Sequence, residues 1–132
     1  MERDTFRYVG DFREWGHGRP DGPSIRAAVR AAPGEDEPEL LRYLRGGALL
    51  YATPSAVPDV LGPAGAVIGG LHLFTDGRWL WFSDLAHYVE RHHVVLDPDF
   101  LAHARGNGWV VPVLDDDDLQ AVPAAILAGG AG

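Results

Sequence analysis

The sequence has no cysteine, no lysine, a single methionine and only three serines. Without cysteine there is no disulfide framework, no thiolate nucleophile and no cysteine-based zinc site, and the chain is compatible with a reducing compartment. The serines, Ser24, Ser55 and Ser83, lie in no Gly-x-Ser-x-Gly elbow, so the usual signature of a serine hydrolase is missing. No run of about 18 apolar residues occurs. The first residues, Met1-Glu-Arg-Asp-Thr-Phe6, lack a basic segment followed by an apolar stretch. A cytoplasmic protein with no membrane segment is expected. Phosphate-cradling glycine patterns are missing too, since Gly69-Gly70 falls inside an apolar run and Gly106-Asn-Gly108 follows a helical pattern instead of opening one.

The charge is lopsided, with 19 acidic residues against 11 arginines and a formal net charge of −8. Neutralising phosphates needs clustered cations, and these arginines are scattered, which argues against nucleic acid. A negative field either suits a basic protein partner, because complementary potentials speed encounter, or serves solubility alone. The one charge run is Asp115, Asp116, Asp117 and Asp118. It precedes Leu119, Val122 and Ile126 and so reads as a helix amino terminus, with Pro123 kinking or delaying that helix. At 132 residues the chain is long enough for one domain with a real core. Residues 1–128 are expected to form it, with 129–132 as a disordered tail.

Residues 67 to 93 organise the rest. Asp76-Gly77 between two apolar runs signals a hairpin, because a type I′ turn needs positive φ at both central positions and these residue types tolerate it. A two-residue turn there pairs Thr75 with Arg78, Phe74 with Trp79, Leu73 with Leu80, His72 with Trp81 and Leu71 with Phe82. Alternation then puts Leu71, Leu73, Leu80 and Phe82 on one face and His72, Phe74, Trp79 and Trp81 on the other. The aromatic face is either covered by helices or, since aromatic residues gather at interface centres, a contact surface. Ser83 stands where a helix cap belongs. Leu85, Tyr88, Val89 and His92 then mark the inner face of a helix from Asp84 to about His93.

Upstream, Phe6, Tyr8, Val9 and Phe12 suggest a short edge strand, and residues 15–22 a glycine-rich loop with Trp15 tucked onto the core. Pro23 opens a helix with Ile25, Ala28, Val29 and Ala32 on one face, stopped by Pro33-Gly34. A second helix, from about Pro38 to Arg45, buries Leu40, Leu41 and Leu44 and stops at a left-handed Gly46-Gly47. Ala48 to Ala52 reads as a buried strand, and the prolines between Thr53 and Gly65 exclude a central one. Downstream, Asp97-Pro98 opens a helix with Phe100, Leu101 and Ala104 inward, and Trp109 to Val113 reads as a proline-interrupted edge strand or an extended segment. The fold class is α+β, a small mostly antiparallel sheet built on a hairpin at about 67–82 and packed by several short helices.

Histidine is the only residue type here that points to chemistry. Glu90 and His93 have an i, i+3 spacing that di-metal bundles use twice, but it occurs once. The order His87-x-x-Glu90-x-His92 misses an inverted zinc-protease pattern by one residue, which turns the second imidazole about 100° around the helix. No metal, cofactor or catalytic residue is assigned. His92 reads as a hydrogen-bonded core histidine and His103 as solvated. Near a helix carboxyl end, His92 or His93 favours its charged form, a basis for a pH-responsive contact.

The phrase Thr75-Asp-Gly-Arg-Trp-Leu-Trp81, followed by Asp84-Leu85, Tyr88-Val89, His92 and Asp97-Pro98-Asp99-Phe100-Leu101, resembles a pattern in small uncharacterised bacterial proteins. Some of these resemble immunity proteins that neutralise polymorphic toxins. The resemblance spans roughly a third of the chain and implies no individual functional residue. The resulting expectation is a noncatalytic protein-binding module, immunity-like, acting on a basic toxin domain. Its expected interaction surface is His72, Phe74, Trp79, Trp81 and Asp115 to Asp118. The alternative is a small-molecule binding protein or enzyme with a pocket near Trp15, His17, His72 and the tryptophans. A third reading is a homodimer paired through the aromatic face.

Overall fold

The computed structural model describes residues 7–10, 12–15, 21–52, 57–62, 67–68 and 71–120. Phe6, His17, the helix expected beyond residue 120 and the tail at 129–132 lie outside them. The elements are β1 (Arg7–Tyr8), α1 (Ile25–Ala28), α2 (Glu37–Arg45), β2 (Ala48–Ala52), β3 (Val57–Pro58), β4 (Val67–Ile68), β5 (His72–Thr75), β6 (Trp79–Phe82), α3 (Asp84–His92), α4 (Pro98–Gly106) and α5 (Asp116–Gln120). One sheet runs β1-β6-β5-β2, antiparallel except for β1 beside β6, and a separate antiparallel pair joins β3 to β4. The fold is α+β. Among the described residues no helix is long and apolar enough to cross a membrane.

The hairpin forms two residues out of the expected register. Leu73 pairs with Phe82, Phe74 with Trp81 and Thr75 with Leu80, so the corner is centred on Gly77-Arg78 and not on Asp76-Gly77. Gly77 alone of the two has positive φ, at +97°, as a turn with glycine first requires. Asp76 is displaced because its carboxylate does other work. Oδ1 accepts the amides of Arg78 at 3.0 Å and Trp79 at 2.8 Å. A slip of two residues keeps every side chain on its face, whereas a slip of one would have inverted them all. Trp79 and Trp81 therefore share a side, and Leu73, Leu80 and Phe82 cluster on the other.

Helices α2, α3 and α4 cover the aromatic side. Phe100 of α4 stands at its centre, its ring 5.4 Å from Trp79, 5.6 Å from Trp81 and 5.9 Å from Tyr43. Each such side chain contributes about 1.5–3 kcal/mol by burial. The indole N–H of Trp81 donates to the Leu44 carbonyl at 2.9 Å. Trp79 is 5% exposed and Trp81 1%, so the expected contact surface loses both rings to the chain's own helices. Trp15 is buried against Phe12 and Tyr88.

Gly47 lets the sheet approach α2. A Cβ there would sit 2.7 Å from Trp81 Cζ2 and 2.8 Å from Phe74 Cβ, while Gly46 has φ −96°. The glycine pair thus serves close packing and not a left-handed stop. On α2 the buried residues are Leu40, Tyr43 and Leu44, with Leu41 half-buried.

Other expectations yield to tertiary hydrogen bonds. Helix α1 ends at Ala28, well short of Ala32, because the Ala28 carbonyl accepts the Val95 amide at 2.9 Å and the Arg30 amide goes to the His92 carbonyl at 3.3 Å. Ser83 makes no cap, since its hydroxyl accepts the His72 amide at 2.9 Å. Strand β2 lies at the sheet edge with Leu49 half exposed, so it is no buried strand. Val67–Ile68 pairs with β3 and does not extend the hairpin. Residues 110–113 form no strand.

Candidate functional site

Polar side chains from α2, α4 and the residue that follows it converge on the hairpin corner. The Tyr43 hydroxyl donates to Asp76 Oδ2 at 2.6 Å, His103 Nε2 lies 3.2 Å from the same oxygen, and Asn107 Nδ2 donates to the Tyr43 oxygen at 3.0 Å. The Asp76 side chain is fully enclosed while that of His103 is 29% exposed. With two amides on Oδ1 and two side chains on Oδ2, the carboxylate is satisfied, as its burial requires. Burial, and then the hydrogen bond to Asp76, push the Tyr43 hydroxyl well above the usual tyrosine range, against a smaller lowering by Asn107. Among the described residues the serines work elsewhere, Ser24 donating to Glu14 and Ser83 accepting from His72. This arrangement fixes a corner and two helices.

Directly after it, residues 110–115 run without helix, turn or bend. Val111 lies against Gly46, and Leu114 against Gly77, 3.2 Å from where its Cβ would stand. Val110 and Val113 point outward, 62% and 98% exposed. The segment leads into α5, whose first turn is held reciprocally: the Asp118 amide donates to Asp115 Oδ1 at 2.8 Å and the Asp115 amide to Asp118 Oδ2 at 3.0 Å. All of Asp115 to Asp118 are exposed. At the other end, Trp109 lines a groove of about 330 Å³ with Glu35, Asp36 and Glu37, where Arg105 donates to Asp36 Oδ2 at 3.0 Å.

His87, His92 and His93 also meet carboxylates. His87 Nε2 is 2.7 Å from Asp59 Oδ2, His92 Nε2 4.0 Å from Asp59 Oδ1, and His93 Nδ1 3.0 Å from Glu37 Oε2. Burial pushes the Asp59 carboxyl up, but the His87 hydrogen bond, the Leu61 amide and the two imidazoles outweigh it and hold the group below its ordinary range. Glu90 turns to Arg45 at 3.0 Å, so the Glu90–His93 pair does not form, and His93 closes α3 at φ +54°. His92 is half-buried, not fully inward, and His103 belongs to the Asp76 network instead of standing in solvent. Among the described residues no three metal-ligating side chains converge.

Of the residues expected at a site, Asp115 to Asp118 are presented together, and Trp79 and Trp81 are withdrawn into the core. His72 and Phe74 are half-buried, ring centroids 6.2 Å apart. Phe74 and Trp81 line a cleft of about 340 Å³ with Ser83, His87, Arg45 and Glu90, whereas a wider one of about 770 Å³ lies beside Arg7, Tyr8, Arg30 and Asp97. Sequence reasoning missed Tyr43, Asp59, Asp76 and Asn107. Only Tyr43 carried a signal, a phenol three residues from Leu40 on the buried stripe of α2, where its hydroxyl needs a partner. Comparison with protein-family models, curated proteins and solved structures finds no match.

Proposed function

We propose that this chain is a noncatalytic protein-binding module for a basic protein, acting as an immunity protein does on a toxin domain. The observation that carries this is the strip from Val110 to Asp118, in which two outward valines are followed at once by four exposed carboxylates. Exposed apolar side chains rimmed by charge are the anatomy of a contact surface. Holding the first acidic turn by reciprocal hydrogen bonds lowers the entropy lost on docking. The net charge of −8 attracts a cationic partner and repels nucleic acid. A cytoplasmic setting agrees with the cysteine-free composition.

The test is to look beside this chain's gene for one encoding a polymorphic toxin, whose absence counts against the proposal, and to titrate its terminal domain calorimetrically. The expected result is a one-to-one complex that weakens roughly tenfold when Asp115 to Asp118 are all changed to Asn. No complex, or unchanged affinity in that variant, overturns the proposal. A second reading, a small-molecule site, rests on the cleft lined by Phe74, Trp81, Ser83 and His87. Titration with indole that shifts the His87 ring resonances supports it, and shifts scattered over the surface overturn it.

A further inference from the structure

Residues 110–114 repeat every three positions, Val111 and Leu114 packed inward, Val110 and Val113 exposed. That is the period of polyproline II, which has no internal hydrogen bonds and which Pro112 favours. Val110 donates its amide to the Asn107 carbonyl at 3.3 Å. Among the described residues, the amides of Val111 and Val113 donate to no protein acceptor. Both ends of the segment are nonetheless anchored. Trp109 donates to the Ala104 carbonyl at 3.0 Å, Leu114 packs on Gly77, and Asp115 is tied to Asp118.

Building on the protein-binding reading above, we infer that Val110–Val113 is a docking strip for an extended, cationic segment of the partner. That segment accepts a hydrogen bond from the Val113 amide, packs on the Val110 and Val113 side chains, and sets its cations against Asp115 to Asp118. An extended segment is the fitting occupant because it carries backbone acceptors and side chains in regular alternation along one line. It is cationic because the carboxylates begin two residues beyond Val113. The strip is held in one shape before docking, so little further ordering is lost there.

The experiment is an NMR titration of the ¹⁵N-labelled full chain at low salt with a synthetic peptide of alternating valine and arginine, against a valine–glutamate control. The expected result is slowed exchange at the Val113 amide and shifts at Asp115 to Asp118 with the first peptide only. Val113→Ala keeps the N–H and removes the side chain, whereas Val113→Pro removes the donor. The position is 98% exposed, and overlaying the spectra of both variants on that of the native chain checks that the fold is retained. Proline is expected to bind about tenfold more weakly than alanine. Equal affinities of the two variants overturn the amide contact. Shifts at the aspartates without protection at Val113 overturn the strip and leave the protein-binding reading standing. No shifts at either place also overturn the strip, and the calorimetric titration then decides the wider reading on its own.

Discussion

The Asp76 carboxylate accepts two amides on one oxygen and meets Tyr43 and His103 on the other, so a partner lost from either side leaves a buried acceptor short. Tyr43→Phe removes the hydroxyl from Asp76 Oδ2 and leaves Asn107 without its acceptor. It is expected to cost about 1–3 kcal/mol, read as a lower urea midpoint at unchanged slope. Asp59 gives a pH signature. Its carboxyl is depressed in the folded chain, so its stabilisation is complete above the unfolded carboxylate value and is lost as pH falls through the folded one. The stability gap between the native chain and Asp59→Asn is therefore expected to hold above pH ~5 and to shrink as pH falls below the unfolded carboxylate value of about 3.9, measured by denaturant titrations across that range. Neither Asp59 nor Asp76 was legible as a hub. An aspartate beside glycine or proline is read first as a turn former, and the imidazole or phenol that repurposes it comes from another element 27 to 33 residues away.

Among the elements, α2, α3 and α4 lie within a residue or two of where apolar periodicity and charge order place them, because their buried faces are long enough to outweigh local alternatives. Short segments behaved otherwise. The α1 stretch gave up its last expected turn to hydrogen bonds with residues 92 and 95, and 110–113 pairs with no strand, which leaves the extended segment of the two readings its proline allowed. Glycines separate the two kinds of constraint. Gly47→Ala drives a methyl into Trp81 and Phe74 and is expected to destabilise by about 1–3 kcal/mol. Gly106→Ala, in α4 with nothing within 4 Å, is expected to stabilise by about 0.5–1 kcal/mol. Thermal unfolding should move in opposite directions for the two.

For the whole molecule, charge governs how a partner is met. Changing Asp115 to Asp118 to Asn halves the formal net charge of −8, so the association rate with a basic partner is expected to fall more than the dissociation rate rises, and its salt dependence to flatten. Stopped-flow rates at several ionic strengths check this. By itself the sequence determined the α+β class, the main helices and the sorting of side chains across the hairpin, because periods of 3.6 and 2 are local properties that survive a two-residue slip. Only the tertiary structure decided the register, the burial of the two tryptophans and the exposure of Val110 and Val113. The corner sits where the distant Tyr43 and His103 hold Asp76, and Phe100 covers the aromatic face from another helix. Contacts made across such sequence distances leave no periodic trace in the residues that make them.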